Sequence, residues 1–135
     1  MKIVVLAGGL STERDVSFVT GNMVSKALRA KGHQVILLDV FMGYSNKKEN
    51  LDGIFDRSEE VSVKVEGIPE TAPDIAKVKA MREDKSDAFF GPNVIEMCQM
   101  ADIVFMALHG ENGENGKVQA AFDLLGVKYT GSDYL

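Results

Sequence analysis

Ile3-Val4-Val5-Leu6-Ala7-Gly8-Gly9 is the stretch of sequence that decides the fold. Its first four residues are apolar and three of them are β-branched, which favours a short buried strand that the glycine pair ends. Ser11-Thr12 can cap a following helix, and Lys31-Gly32 can end it, with a cation near the last carbonyl groups and a glycine free to take a positive φ. Between these two signals, apolar residues recur at a helical spacing, at Val16, Val19, Met23, Ala27 and Ala30.

A second β-rich run follows this helix at Val35–Val40, so the first forty residues predict a βαβ unit with parallel strands and a right-handed crossover. The alternation of strands and helices continues towards the end of the chain. It indicates an α/β fold, a Rossmann-like three-layer domain with a parallel sheet of about four strands and ligands beyond the carboxyl ends of the strands. The predicted strands are 3–6, 35–40, 103–108 and 127–129, and the predicted helices are 14–30, 93–100 and 117–125.

The segment between residues 43 and 87 interrupts this alternation and is predicted to be an irregular insertion. Ser45–Asn50 is strongly polar, and Gly67–Pro73 is rich in turn-forming residues. Val61–Val65 alternates at the period of a strand, which predicts one extra strand or hairpin. A charged helical patch is expected from Asp74 to Lys85, with its charges on a solvated face.

Length and composition exclude several classes of protein. With 135 residues, of which 45% are hydrophobic, the chain can bury one core, so we expect a single domain over 1–135. The net charge of −5 and the scattered basic residues argue against nucleic-acid binding. Cys98 is unpaired, and no signal-peptide pattern or apolar run of about 20 residues occurs, so we expect a soluble cytoplasmic protein that does not enter the membrane.

The first glycine-rich loop contains Gly8, Gly9 and Glu13 and leads into a helix, where phosphate groups often bind. The glycines do not form Gly-x-Gly-x-x-Gly, and no Walker lysine follows. Glu13 would repel phosphate at this helix start and could instead receive an ammonium group. Alternatively, Glu13 is only a helix N-terminal acid, which would contribute about 0.3–1 kcal/mol to stability.

The second glycine-rich loop follows the predicted strand 103–108 and carries His109, with Gly110, Gly113 and Gly116 letting backbone approach a ligand. A histidine at the mouth of a parallel sheet is a candidate site residue, although it could be structural. Glu114 is predicted to fix this loop. No metal site is expected, because His109, Glu111 and Glu114 lack a second histidine or a tight ligand pattern.

Three motifs together resemble the amino-terminal part of D-alanine–D-alanine ligases, members of the ATP-grasp superfamily. They are Ala7-Gly8-Gly9-Leu10-Ser11-Thr12-Glu13-Arg14-Asp15-Val16-Ser17, His109-Gly110-Glu111-Asn112-Gly113-Glu114-Asn115-Gly116 with Gln119, and Tyr129-Thr130-Gly131-Ser132. Two positions depart from the usual family pattern: Asp15 stands where glutamate is more common, and Asn115 is the rarer choice.

The resemblance implies a pre-ATP-grasp fold and a role for several residues. Glu13 would bind the ammonium group of the first D-alanine, and His109 would reach its carboxyl end, so these two are the candidate catalytic residues. Val16 would lie against the methyl group of that substrate, with Ser17 and Gly110 as further substrate-binding residues. The loop-forming residues would be Gly8, Gly9, Gly113, Glu114 and Gly116.

The resemblance also implies that such ligases use ATP and Mg²⁺ to activate the first D-alanine as an acylphosphate, which the second D-alanine attacks. The dipeptide serves peptidoglycan precursors, and hence cell wall biogenesis and cell shape. The ATP-grasp domains that hold ATP and magnesium are missing from these residues, so we expect an inactive amino-terminal domain with neither cofactor. The full-length enzyme is expected to be a homodimer.

Two other interpretations stay open at this point. D-alanine–D-lactate or D-alanine–D-serine ligases share this first-substrate half, and the residues present do not distinguish them. A Rossmann-type module that binds a nucleotide or an amino acid would also fit the glycine-rich loops.

Overall fold

The computed structural model describes residues 1–8, 14–44, 53–63, 90–91, 93–108 and 114–131. These residues include four strands and four α-helices, and a short 3₁₀ helix precedes the second α-helix. In chain order they are β1 (Lys2–Ala7), α1 (Arg14–Ala30), β2 (Gln34–Asp39), the 3₁₀ helix (Ile54–Arg57), α2 (Ser58–Val61), α3 (Val94–Met100), β3 (Ile103–Met106), α4 (Glu114–Leu125) and β4 (Tyr129–Gly131).

The four strands form one parallel sheet in the order β2-β1-β3-β4. Val4 of β1 pairs with Ile36 of β2 on one side and with Val104 of β3 on the other. The chain therefore starts near the middle of the sheet and adds strands on both sides. The predicted α/β fold with four parallel strands is confirmed.

The sheet is covered by helices on both faces, which gives the three layers that were predicted. On one face, here called the α3–α4 face, large apolar side chains from α3, α4 and the 3₁₀ helix pack on alternate strand residues. On the other, here called the α1 face, α1 packs on β1 and β2. The core of the α3–α4 face includes Val4, Leu6, Ile36, Leu38, Ile54, Phe55, Met97, Val104, Val118 and Phe122.

Helix α1 spans residues 14–30 as predicted, but the side chains that predicted it are not the ones that hold it on the sheet. Val16 is 39% exposed and Met23 is 66% exposed, and Ala27 and Ala30 are exposed as well. Phe18, Val24 and Leu28, which are partly buried, pack on the core of this face instead. The fully buried positions of α1 carry small residues, namely Ser17, Gly21 and Ser25. These residues recur every four positions, so they lie along one side of the helix.

Gly21 shows how closely α1 approaches the sheet. A Cβ atom at this position would lie 2.8 Å from Cδ1 of Leu37 and 3.3 Å from Cβ of Ala7. Contacts of this kind are tighter than van der Waals packing allows, so a larger residue could not be accommodated without movement. The small residues therefore set the distance between α1 and the sheet.

Helix α4 begins at Glu114, three residues before the predicted start at residue 117. Glu114 and Gly116, which were predicted to form the preceding loop, consequently lie in the first turn of this helix. Glycine disfavours helices by about 1 kcal/mol. That preference is small compared with burial of Val118 and Phe122, which fixes α4 on the sheet. Likewise β4 occupies 129–131 rather than 127–129. Val127 precedes the strand and is buried.

Part of the predicted insertion is more regular than expected. Residues 54–61 form the 3₁₀ helix and α2, and Ile54 and Phe55 are buried in the core of the α3–α4 face. The strand predicted to start at Val61 is wrong in its first residues, because Val61 ends α2 and Ser62 follows in a bend. Residues 64 and 65 and the charged patch 74–85 lie outside the described residues.

Ser62 connects this segment to the outer side of β2. Its Oγ accepts hydrogen bonds from the backbone N–H of Leu37 (2.9 Å) and from Nη2 of Arg29 (2.8 Å), and donates to the carbonyl of Ser58 (2.6 Å). The N–H of Val63 then donates to the carbonyl of Leu37 at 2.9 Å. Nη2 of Arg29 also donates to the carbonyl of Val35 at 2.8 Å. Both polar backbone groups of Leu37 are therefore bonded on the side of β2 that faces no other strand among the described residues.

Candidate functional site at the carboxyl ends of the strands

The two glycine-rich loops start side by side at one end of the sheet. β1 and β3 are paired and parallel, and the N–H of Ala107 donates to the carbonyl of Leu6 at 2.8 Å. Gly8 directly follows β1, and Ala107 and Leu108 directly follow β3. This is the end of an open parallel sheet at which ligands characteristically bind.

The structure describes some of the predicted site residues. Gly8, Val16 and Ser17 are described with their surroundings, whereas Glu114 and Gly116 are described only as backbone of α4. The remaining predicted residues lie outside the described part of the chain, and they are Gly9, Glu13, His109, Gly110 and Gly113. Their roles stay predictions.

Ser17 forms a hydrogen bond that joins β1 to α1. The N–H of Gly8 donates to Oγ of Ser17 at 2.6 Å, and the Ser17 side chain is fully buried. Ser17 is the fourth residue of α1, which starts at Arg14. The end of the strand and the first turn of the helix are thus linked directly, and the link bypasses residues 9–13.

Gly8 occupies a position that only glycine fits well. Its φ of +84° is a left-handed backbone conformation, which residues with a Cβ atom rarely adopt. A Cβ atom here would lie 2.7 Å from Oδ1 of Asp39 and 2.9 Å from Cζ of Phe18. Both conformation and space therefore select glycine at the end of β1.

Asp39 is a buried residue at this end of the sheet that the sequence reasoning missed. It is the last residue of β2, and its Oδ1 accepts hydrogen bonds from the N–H groups of Phe41 (3.0 Å) and Met42 (3.1 Å). An aspartate whose side chain bonds the backbone two residues on is typical of a turn. An acid directly after the apolar run 35–38 was the signal that could have identified it.

Two further residues pack the turn after β2 against the segment before α3. The N–H of Gly91 donates to the carbonyl of Val40 at 2.9 Å, and a Cβ atom at Gly91 would overlap the carbonyl oxygen of Phe41. Nδ2 of Asn93 donates to the carbonyl of Tyr44 at 2.6 Å. The backbone at this end of β2 is therefore tightly held.

Val16 and Ser17 are neighbours in the first turns of α1 but have different surroundings. Ser17 is buried against the end of β1, whereas Val16 is 39% exposed. Consequently Val16 presents apolar surface on the first part of α1. Asp15 adds an acid to the first turn of the helix, where negative charge is favourable.

Other groups that could carry chemistry are poorly placed for it. The described residues contain no cluster of three or more histidine, cysteine, aspartate or glutamate residues that could hold a metal ion. Burial, and secondarily the charge of Glu96, raises the pKa of the Cys98 thiol to about 12, so the thiol stays protonated at neutral pH. His33 lies after α1, with Nδ1 3.2 Å from the terminal amino nitrogen of Met1. In the described ranges no helix could span a membrane.

Comparison with known proteins identifies the family. The sequence model described as "D-ala D-ala ligase N-terminus" matches residues 2–132. The chain is 50% identical over 133 residues to the D-alanine–D-alanine ligase of Lacticaseibacillus casei, covering 98% of this chain and 36% of that protein. It is 44% identical over 136 positions to the ligase of Pediococcus pentosaceus, covering 100% of this chain and 38% of that protein.

A more distant relative with the same name, from Aquifex aeolicus, is 34% identical over 133 residues, which are 98% of this chain and 29% of that protein. The chain thus spans little more than a third of the length of the relatives that it matches most closely among these. The match nevertheless runs through β1, α1, both glycine-rich loops and β4. The chain belongs to the family of D-alanine–D-alanine ligases and corresponds to their amino-terminal part.

Proposed function

We propose that this chain is the amino-terminal domain, residues 1–135, of an ATP-dependent D-alanine–D-alanine ligase and forms one wall of the site for the first D-alanine. The observation that carries the proposal is the family match over residues 2–132. The relatives described above are all named D-alanine–D-alanine ligases, which favours this function over a D-lactate or D-serine ligase and over a Rossmann-type binding module.

In this proposal Glu13 receives the ammonium group of the first D-alanine. Glu13 directly precedes Arg14, the first residue of α1, and the start of this helix is bonded to the end of β1 through Ser17 and Gly8. Val16 supplies an exposed apolar surface for the substrate methyl group, and its position on α1 supports that role. A charge-assisted hydrogen bond to ammonium is roughly twice as strong as a neutral one, which makes Glu13 the main contributor to binding.

His109 and Gly110 act on the carboxyl group of the same substrate. They directly follow Leu108, a buried residue after β3, and β3 is the strand that pairs with β1. An imidazole N–H and loop backbone N–H groups can donate hydrogen bonds to carboxyl oxygens that gain charge during activation. Gly9 and Gly113 belong to the same two loops and leave backbone accessible.

ATP and Mg²⁺ are assigned to the part of the ligase that this chain does not cover. The described residues contain no cluster of three or more histidine, cysteine, aspartate or glutamate residues. The role of this domain is to bind and orient the first substrate. We also propose that the full-length protein is cytoplasmic and supplies peptidoglycan precursors. We propose further that it is a homodimer, which sedimentation of the full-length protein would test.

The proposal is tested in a completed ligase, which is this chain fused in place of the aligned 133 residues of the Lacticaseibacillus casei ligase. The unmodified Lacticaseibacillus casei enzyme calibrates the assay of phosphate release and dipeptide formation with D-alanine. We expect the completed ligase to make D-alanyl-D-alanine and the 135-residue chain alone to make none. A folded but inactive completed ligase would contradict the proposal.

Two substitutions in the completed ligase separate site residues from structural ones. Glu13→Gln should raise the Michaelis constant for the first D-alanine and lower turnover, with the exposed Glu59→Gln as its control. His109→Ala should lower the rate about 10²-fold, as expected for loss of one hydrogen-bond donor to a developing negative charge, with His33→Ala as its control. Unchanged kinetics with a lower melting temperature would make either residue structural.

A further inference from the structure

We infer that Ser17 is a positioning residue for the first D-alanine. It acts by holding the backbone of Gly8 in place and does not contact the substrate itself. The inference rests on the proposed function. The sequence predicted Ser17 only as one of several substrate-binding residues, from its place in the first motif. Its fully buried side chain and its 2.6 Å hydrogen bond with the N–H of Gly8 point to a different way of acting.

The hydrogen bond between Ser17 and Gly8 joins the two elements that bound residues 9–13. Gly8 is the last described residue before this segment, and α1 begins directly after it at Arg14. Glu13, the proposed ammonium acceptor, is the residue next to α1. Because the segment starts and ends on a linked pair of elements, its two attachment points are held at a fixed separation.

Gly8 is closely packed by residues other than Ser17. Asp39 and Phe18 occupy the space where a Cβ atom would point, at 2.7 and 2.9 Å. Asp39 is itself held by the turn after β2 through Phe41 and Met42. The backbone on the other side of Gly8 is a central strand of the sheet. Loss of the Ser17 oxygen would leave the buried N–H of Gly8 without this acceptor, and any shift that restores a partner has to occur between the end of β1 and the start of α1.

The same helix provides a matched control for this role. Ser25 is also fully buried and lies two turns further along the same side of α1, but its Oγ has no hydrogen-bond partner among the described residues. Substitution of Ser25 changes a buried serine of the same helix without touching the link to Gly8. The two serines differ mainly in what their hydroxyl groups bind.

The test compares Ser17→Ala and Ser17→Cys with Ser25→Ala and Ser25→Cys in the completed ligase. The sulfur of cysteine is larger than the hydroxyl oxygen and a weaker hydrogen-bond acceptor, so Ser17→Cys weakens the bond to Gly8, and Ser25→Cys controls for the added volume at a buried position of the same helix. The dependence of rate on D-alanine is fitted with separate Michaelis constants for the first and second substrate sites. The Michaelis constant for ATP and the melting temperature are measured in parallel.

We expect Ser17→Ala to raise the Michaelis constant for the first D-alanine at least tenfold and Ser17→Cys to raise it about threefold. The constants for the second D-alanine and for ATP should stay within twofold, and both Ser25 variants should keep all constants within twofold. If the Ser17 variants lose only thermal stability, or if all three constants rise together, the inference is wrong. An inactive unsubstituted ligase would instead overturn the proposed function itself.

Discussion

The two faces of the sheet are packed in different ways. The α3–α4 face is filled with large apolar side chains, and the ring of Phe122 stacks on Phe90 with centroids 6.1 Å apart and contacts Tyr129 at 5.9 Å. The α1 face brings a helix close to the sheet through Ser17, Gly21 and Ser25. Phe18, Val24 and Leu28 add partly buried apolar contacts to the α1 face, so this face combines apolar burial with close approach, whereas the α3–α4 face is stabilised mainly by buried volume.

The difference shows how a domain of this kind can hold a site precisely at one end. A large apolar core tolerates exchange of one hydrophobic residue for another of similar volume. A helix seated on glycine and serine has little tolerance for added atoms, so its position relative to the strands is narrowly defined. Here α1 carries Val16 and Ser17 and directly follows Glu13, so the closely approached face is the one that leads into the candidate site.

The largest expected effect on stability comes from removing a large side chain from the core of the α3–α4 face. Phe122→Ala should lower the free energy of unfolding by about 3–5 kcal/mol, because it removes a fully buried ring and leaves a cavity beside Phe90 and Tyr129. Urea unfolding of the 135-residue chain measures the change. Leu124→Ala on the same helix is the control, since Leu124 is 88% exposed and should change the value by less than about 0.5 kcal/mol.

A smaller loss is expected from overfilling the α1 face. Gly21→Leu should destabilise the chain by about 1–3 kcal/mol even though leucine favours helices, because its Cβ atom alone would lie 2.8 Å from Leu37. Ala27→Leu on the exposed side of α1 adds the same kind of side chain without a clash and is the control. Equal stabilities of the two variants would show that α1 is not held by close approach.

The α1 face should tolerate removal of a buried hydroxyl group when that group is unpaired. Ser25→Ala removes an oxygen that has no hydrogen-bond partner among the described residues, so we expect stability to stay equal or to rise by up to about 1 kcal/mol. The midpoint of urea unfolding measures it. A loss above about 1 kcal/mol would mean that Ser25 makes a bond with another part of the chain.

The smallest effect is expected on the outer side of α1. Met23 is 66% exposed although it belongs to the apolar spacing that predicted the helix. Met23→Gln should therefore change the free energy of unfolding by less than about 0.5 kcal/mol, as surface substitutions usually do. Thermal unfolding of this variant beside the unsubstituted chain checks it, and a clear loss would place Met23 in a buried contact.

The sequence allowed the order, type and parallel arrangement of the main elements to be predicted because strand and helix signals alternate clearly. The apolar spacing that predicted α1, from Val16 to Ala30, lies mostly on its exposed side, whereas Phe18, Val24 and Leu28 pack on the core. Small residues contribute little to an apolar pattern, yet Gly21 permits the closest contact with the sheet. The short helices at 54–61 were not predicted. The alternation of Val61 and Val63 is a local signal that favoured a strand, whereas the burial of Ile54 and Phe55 depends on the tertiary structure.

For the candidate site, the sequence predicted two loops after the carboxyl ends of β1 and β3, and Gly8 and Ala107 directly follow those strands. The glycine at position 8 was predicted from its place after a strand, and it has a φ of +84°. The bond between Gly8 and Ser17 could not be predicted, because no spacing rule links a strand-end N–H to a serine nine residues later. The same holds for Asp39, whose packing against Gly8 requires β1 and β2 to be paired first.

The outer side of β2 has a consequence for the solubility of the chain. An edge strand with free N–H and carbonyl groups is a template for β-sheet addition by another molecule, and hence a starting point for aggregation. At Leu37 both groups are bonded by Ser62 and Val63, and Arg29 bonds the carbonyl of Val35. Ser62, Val63 and Arg29 thereby occupy polar backbone groups along this stretch of β2, which prevents a strand of a neighbouring molecule from pairing with it there.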